Sequence, residues 1–549
     1  MLENNTSQDT TVVRRSANFK PTLWNYDYIQ SLSSKYKEQV YVERRDMLKE
    51  KVKTMIETTK NLLRQLELVD VLQRLGLFYH FKDELKIILD NMHKNNTWKN
   101  NNLYATGLAF RLFRQYGYDV SPEVFTSFRD EMGNFKVIVE DDIEGMLSLY
   151  EASYLLVKDE IILDVSKNFT SKHLKRFVNK NKDKDISLLV EHALEFALHW
   201  RPPRLEARWF INLCCKRNYD MNPILLEFAK LDFNILQATH QEELKHASRW
   251  WNRTGLPKKL SFLRDRLMES YIWNLELVAE PQFGHYRRHS AKLYVVMTMV
   301  DDLYDSYGTL EELELFTDSI KRWDTSLIDN LPDPMKMLFL AIHNYVNEVA
   351  YEVLRDQGFN IIPCLKKYWE QYCQSYLVEA KWLYNGYRPS LQEYLDNGWI
   401  SIGVLVTQVH AYFTIANPIK KEALDCLEEG CPNIIHWTAV IVRLADDLGT
   451  FSRDIETRDP NSSVQYYMNE KGTSKEEARN YIRCLIDKTW KKINGDRFSS
   501  SPFPQVFVEM CVNFSRMALL IYQHGDGYTS QADDVKDIMS AILIEPIPL

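Results

Sequence analysis

Glycine and proline are scarce. The chain has 549 residues and only 18 of each. That is roughly half the usual glycine and two-thirds of the usual proline for a globular protein. So few turn residues in so long a chain leave little room for hairpins and point to long helices. Cysteine is sparse too: Cys214, Cys215, Cys364, Cys373, Cys426, Cys431, Cys484 and Cys511 are scattered, with no Cys-x2-Cys pair. This excludes a disulfide scaffold and a zinc ribbon and fits a reducing compartment. Positive charge is not in excess. The formal net charge is −8, which argues against a broad nucleic-acid surface. No glycine-rich phosphate loop is present; "GTSKEEA" (472–478) lacks the second glycine and the Lys-Ser or Lys-Thr. The first residues, MLENNTSQDTTVV, carry no apolar signal core. One stretch lacks charge altogether. From Asn397 to Ile419 there is no Asp, Glu, Lys or Arg, but Ser401, Thr407, Gln408, His410 and Thr414 interrupt its apolar character. It reads as a helix buried inside a large protein, not a membrane span.

What is present is helical periodicity. At 549 residues, two domains are expected. Residues 1–30 read as an arm, without helical period, carrying Arg14, Arg15, Pro21 and Trp24. From 31 to 220 amphipathic patterns alternate with polar breaks; "LLRQLELVDVLQRLGLFYHF" (62–81) is one, with Gly76 near its end. "CCKRNYDMNP" (214–223) marks the boundary before a second domain, 221–549. There the periodicity predicts helices over 223–252, 261–280, 287–305, 335–356, 361–385, 398–416, 433–454 and 474–493. No run of alternating strands is evident, so the fold class is all-α.

Two acidic motifs sit at the ends of apolar helices. "VVMTMVDDLYDSYG" (295–308) places Asp301 and Asp305 on one helical face, with Asp302 turned about 100° away. Carboxylates one turn apart can hold Mg²⁺, a hard cation often shared with substrate phosphates. The plainer alternative is an acidic last turn, which the helix dipole disfavours. The second motif, "RLADDLGTFSRD" (443–454), stacks Asp446, Thr450 and Asp454 four residues apart, with Arg443 one turn earlier. A guanidinium beside oxygen ligands suits an anionic substrate. "LRDRLMESYIW" (263–273) puts Arg264 and Arg266 around an Asp, ahead of Tyr271 and Trp273. It reads as a salt-bridged helix start or, beside two metal motifs, as a diphosphate clamp. Trp273, Tyr294, Trp399, Tyr412, Phe413, Tyr522 and Tyr528 add aromatic rings that could line a cavity and stabilise a cation.

Taken together these segments resemble the plant terpene synthases across nearly the whole chain. Arg14-Arg15, eight residues, then Trp24 is similar to the family's arginine-pair/tryptophan motif. "LQRLGLFYHF", "LYEASYL" (149–155), "LEARWFI" (205–211), "SRWW" (248–251), "RDRLMESYIW", "DDLYD", "YGTLEELELFTD", "RLADDLGT" and "HGDGYT" (524–529) are similar to family segments. They look like the angiosperm monoterpene synthase subfamily, which also contains isoprene synthases and some sesquiterpene synthases.

The resemblance implies two helical domains: an N-terminal α-barrel relic and a C-terminal class I terpenoid synthase helical bundle holding the active site. The relic would be catalytically silent, since "VEDDIEG" (139–145) has Val139 where an Asp would begin a protonating motif. The implied chemistry is ionisation of a prenyl diphosphate, geranyl diphosphate foremost. Three Mg²⁺ (Mn²⁺ as substitute) would be held by Asp301, Asp302 and Asp305 on one rim and Asp446, Thr450 and Asp454 on the other. Arg264 and Arg443 would contact diphosphate oxygens, and Trp273 would face the carbocation. Asp526 and Tyr528 would stand near the pocket mouth, and the arm would close over the site. A monomer is implied, without membrane span or nucleic-acid partner. It would be plastidic if a transit peptide has been removed and cytoplasmic otherwise.

Departures from the family's pattern concentrate on the second rim. Asp454 stands where Glu is usual, Thr457-Arg458-Asp459 replaces Arg-Gly-Asp, and Ser462 replaces a Lys. "SIGVL" (401–405) lacks a usual Gly-Pro, and Tyr294 stands where isoprene synthases place a pocket-narrowing Phe. Farnesyl diphosphate or a hemiterpene substrate remain alternatives within the family. A chain-elongating prenyltransferase would need a second Asp-Asp-x-x-Asp, which "DDLGT" does not supply. A non-catalytic helical binding protein is the alternative outside enzymology.

Overall fold

The computed structural model describes residues 19–96, 98, 102–136, 142–181, 185–216, 221–457, 461–530 and 533–549, and for 185 and 452–457 the backbone alone. Among these residues no strand forms; the one β contact is an isolated bridge between Arg129 and Phe135. Apolar side chains gather into two large cores. The first runs from Leu48 to Phe233 and takes in Ile547. The second runs from Leu244 to Leu543 and takes in Ile29 and Leu32. Residues 217–220 of the expected boundary, the arginines of the arm and residues 139–141 lie outside the described residues.

The longest helix, α1 (Pro223–Thr254), serves both cores. Its start is fixed locally: the Asn222 side chain accepts from the Ile224 N–H and Pro223 occupies the first turn. Its end is Gly255, left-handed at φ 68°. Phe228 and Phe233 point into the first core, Leu244 and Trp251 into the second. Along α1 runs a buried amide stripe. Asn234 exchanges two hydrogen bonds with the Ile547 backbone at 2.8 Å. Gln237 donates to the Ile542 and Glu545 carbonyls at 3.1 Å, and Gln241 to the Leu543 carbonyl at 2.8 Å. The C-terminal segment is thus tied down by side chains. Asn234→Ala leaves a buried N–H and C=O without partners. It should cost about 2 kcal/mol or more in chemical denaturation, with activity at low denaturant retained.

The second core is a helical bundle. Its further members include α2 (Leu267–Leu277), α3 (Gly284–Asp302), α4 (Asp333–Gln357), α5 (Ile362–Asn385), α6 (Leu391–Ser401), α7 (Val404–Ile415), α8 (Asn433–Thr457) and α9 (Gln505–Ile521). Helix α3 packs on α1, α2, α4 and α7, and α9 packs on α2 and α8. Two expectations need correction. The helix expected over 261–280 begins only at Leu267, after a non-helical link that carries Arg264 and Arg266. The single buried helix expected over 398–416 is two helices, broken at Ile402–Gly403. Gly403 has φ 80°, and a Cβ there would lie 2.4 Å from the Met297 Cε. The break therefore needs glycine for its left-handed conformation, while a Cβ would press first on the flexible end of Met297. The stretch Leu391–Ile415 is long and apolar enough to cross a membrane, but 72% of its most apolar window is buried inside the protein.

Candidate active site

Helix α3 ends in the first acidic motif, and it does not end as an ordinary α-helix. Leu303–Tyr307 form a π turn, closed by the Gly308 N–H donating to the Leu303 carbonyl at 2.9 Å. Such turns are rare and favour functional sites. Asp301 is half-buried and Asp305 exposed, while Asp302 is closed off from solvent. The Arg264 guanidinium donates to Asp301 and lies 2.7 Å from the Asp302 Oδ1. The Arg264 backbone N–H also donates to the Asp302 Oδ2 at 2.7 Å. Asp302, a candidate ligand by sequence, is thus turned onto Arg264 and the link before α2.

The second rim repeats this arrangement. Arg443 donates to Asp446, and through Nε at 2.9 Å to Asp447. Asp447 is fully buried; it also accepts from the Tyr394 hydroxyl at 2.8 Å and the Ser463 N–H at 2.9 Å. Each Asp-Asp pair therefore splits its work: the second aspartate anchors an arginine inside, and the first stays partly open. Thr450 donates its hydroxyl proton to the Asp446 carbonyl at 3.0 Å. The Asp454 side chain lies outside the described residues. Ser462, at the position of the usual Lys, caps the helix Ser463–Lys471 by accepting from the Gln465 N–H at 3.4 Å.

Both arginines are firmly charged. Burial works against the charge on Arg264, but Asp302 and its acidic surroundings outweigh it and raise its pKa. At Arg443 burial is likewise outweighed by Asp447, Tyr394 and Asp446. Burial pushes the Asp302 carboxyl up against the pull of Arg264.

Two sets of side chains join the rims into one site. On one side is the segment after α9. The Tyr522 hydroxyl bonds to Asp446, and Asp526 lies within the electrostatic reach of both Tyr522 and Arg264. Arg264 donates to the Thr529 hydroxyl at 3.1 Å, and Asp526 orders that turn by accepting from the Thr529 N–H at 2.9 Å. The Tyr528 hydroxyl sits 3.0 Å from Ser270 Oγ and 2.9 Å from Thr298 Oγ1. Gly449 makes the close approach possible, since a Cβ there would lie 2.8 Å from the Gly525 carbonyl. On the other side is α5. Tyr376 donates to the Asp301 Oδ1 at 2.5 Å, and Glu379, one turn on, acts electrostatically on both Tyr376 and Arg443. Glu379 accepts from Asn397 at 2.9 Å and Ser401 at 2.6 Å. Sequence reading missed Tyr376, Glu379 and Thr529.

Between the rims lie rings. Trp273 is buried, 5.4 Å from Phe514, 6.2 Å from Tyr522 and 6.1 Å from Tyr528 between centroids. Tyr294 stacks on Phe514 at 6.1 Å. Trp399, by contrast, sits against His436 on α8, and Tyr412 and Phe413 pack within the core with Phe503 and Phe507. The arm reaches this region: the Phe19 ring lies 4.8 Å from the Arg264 guanidinium, and Arg266 donates to the Lys20 carbonyl at 3.2 Å.

Oxygen-rich rims, paired arginines and an aromatic interior form one assembly, and the sequence comparison names its family. Residues 252–492 match "Terpene synthase family, metal binding domain", and 23–194 match "Terpene synthase, N-terminal domain". The chain belongs to the terpene synthase family. A chloroplastic myrcene synthase of Quercus ilex is 54% identical over 100% of this terpene synthase and 92% of its own length. A crystal structure of limonene synthase with 2-fluorolinalyl diphosphate superposes with a TM-score of 0.94 at 42% identity, covering 98% of this chain and 100% of that one. Isoprene synthase from grey poplar leaves, in complex with three Mg²⁺ ions and dimethylallyl-S-thiolodiphosphate, gives 0.88 at 40% identity, covering 96% and 99%. This terpene synthase is an all-α protein whose second half is a metal-binding domain.

Proposed function

We propose that this terpene synthase is a Mg²⁺-dependent monoterpene synthase that ionises geranyl diphosphate, and that its catalytic domain begins near residue 221. The observation that carries the reading is the pair of Arg–Asp-Asp rims facing one aromatic interior. The donor set fits the metal: Asp301, Asp305, Asp446 and Thr450 offer only oxygen, as Mg²⁺ prefers. Asp454 completes the set by its register on α8. Bound there, the ions would supply Lewis-acid charge to the departing diphosphate.

The protein's own groups do the rest. Arg264 and Arg443, freed from Asp301 and Asp446, fork onto diphosphate oxygens while Asp302 and Asp447 keep them in place. The C–O bond breaks with both electrons leaving on the diphosphate oxygen. Fixed charges already aimed at that oxygen lower the barrier without reorganising. The allylic cation is left against Trp273, whose ring face attracts it. Tyr528 offers a ring and a protonated hydroxyl, because burial raises its pKa; that argues against its serving as a base. Asp526 is the side chain we assign to the end of the reaction, where a proton leaves the cation. The arm, with Phe19 and Trp24 on this face and Arg14 and Arg15 just before, would exclude water. We further propose a plastid protein acting as a monomer.

Incubation with geranyl, farnesyl and dimethylallyl diphosphate in turn, with Mg²⁺ or Mn²⁺, and gas chromatography of the headspace tests the reading. The expected result is a ten-carbon product from geranyl diphosphate that chelation abolishes. A dominant fifteen- or five-carbon product would replace the substrate; no volatile above the boiled control would remove the synthase reading.

A further inference from the structure

Away from the diphosphate site, His285, His289 and Glu352 converge. The two histidines lie one turn apart in the first turns of α3, and Glu352 comes from the last turns of α4. Their ligand atoms all fall within 4.8 Å of one another, the one such group of three or more His, Cys, Asp or Glu among the described residues. The His285 Nε2 is 3.4 Å and the His289 Nε2 3.3 Å from the same carboxylate oxygen, Oε2 of Glu352. Yet that oxygen is closed to solvent and has no hydrogen-bond partner, so neither contact has hydrogen-bond geometry. His289 is itself only 6% exposed, and its Nδ1 also lacks a partner. A closed-off carboxylate oxygen with no hydrogen-bond partner, beside one buried and one exposed imidazole, is costly unless something else binds there.

The spacing says what that is. Ligands about 2.0–2.1 Å from a tetrahedral metal stand about 3.3–3.4 Å apart along each edge. Both measured nitrogen–oxygen separations match that edge. We propose that His285, His289 and Glu352 form a tetrahedral site for a borderline divalent transition metal of the Zn²⁺ class, with a fourth position open to water. Two imidazoles and one carboxylate favour such an ion over Mg²⁺, which selects all-oxygen surroundings. The nearby cation Lys292 is neutralised by Glu348 at 2.8 Å. The ion would pin the start of α3 to the end of α4, about 18 Å of helix from Asp301. It is a structural clamp on the element that carries the first acidic rim.

The test uses untagged full-length protein in excess Mg²⁺, which keeps the oxygen-rich rims filled. Add one equivalent of Co²⁺ and record the visible spectrum, then displace with Zn²⁺ and measure metal retained after gel filtration. The expected result is intense tetrahedral Co²⁺ absorption, about one Zn²⁺ per chain, and a raised thermal midpoint. The double variant His285→Asn, Glu352→Gln should lose all three while Mg²⁺-dependent turnover stays within about two-fold. His289→Asn provides a second, independent loss of the spectrum. Only weak octahedral Co²⁺ absorption, or retention unchanged in the variants, overturns the site.

Discussion

Asp301→Ala lowers turnover of geranyl diphosphate by about three orders of magnitude and barely moves the thermal midpoint. The size follows from the electrostatics: one preorganised charge at a developing anion is worth about 10²–10³ in rate, and here a metal ligand is lost as well. The fold tolerates the change for a local reason. Asp301 is a quarter to a third exposed, and Arg264, its partner, still holds Asp302 at 2.7 Å. What disappears is an ion pair with one partly exposed member and the Tyr376 bond, together about 1–2 kcal/mol. Asp301→Asn sharpens the result. The amide oxygen still accepts from Tyr376, but an amide N–H replaces the oxygen that faced Arg264, so stability falls by about 1 kcal/mol, while the charge is gone and turnover falls nearly as far. Single-turnover assays with circular dichroism in parallel check both halves. Wild-type rates in Asp301→Asn would remove Asp301 from the metal set.

The legible parts of this protein are those where a local pattern decides the outcome. Low glycine and proline with 3.6-residue apolar spacing marked the bundle helices, because burial of one face dictates both pattern and element. The helices at Asp333–Gln357 and Ile362–Asn385 fall within two residues of expectation. Periodicity did not mark the break at Gly403, and only the family resemblance pointed to a helix break near 401–405. Val404–Phe413 is buried on every side and carries no amphipathic period to separate it from the helix before it. The site was half legible. Spacing singled out Asp301, Asp305, Asp446 and Thr450, and helical geometry turned Asp302 away from Asp301. It could not show that Asp302 and Asp447 hold the two arginines, because that depends on what the far side of each helix faces. Tyr376 and Glu379 were missed for the same reason. On α5 they are ordinary members of an amphipathic helix, and their tie to Asp301 and Arg443 exists only once α5 packs beside α3 and α6. The clustered His285 and His289 are a helical i, i+4 pair, a signal that was there to be read; their third member, 63 positions downstream of His289, was not.

Asp447→Asn and Asp446→Asn, neighbours in sequence, should fail in opposite ways. Asp447 is fully buried and answers three donors: Arg443, Tyr394 and the Ser463 N–H. An amide keeps one acceptor oxygen and presents an N–H to the other donors, while Arg443 loses its interior counter-charge. Breaking a buried pair from one side costs about 3–5 kcal/mol, because the remaining charge is stranded. Asp447→Asn should therefore lower the denaturation midpoint strongly and disturb the start of the helix at Ser463, where the backbone N–H loses its acceptor. Asp446 is partly open, so Asp446→Asn should leave stability within about 1 kcal/mol of the parent. Its rate at saturating geranyl diphosphate should drop by two orders of magnitude or more, with the Mg²⁺ dependence shifted to higher concentration. Denaturation curves and Mg²⁺ titrations on the two variants separate the roles. Equal Mg²⁺ shifts in both would make Asp447 a member of the metal set, and equal losses of stability would make Asp446 an anchor of the fold.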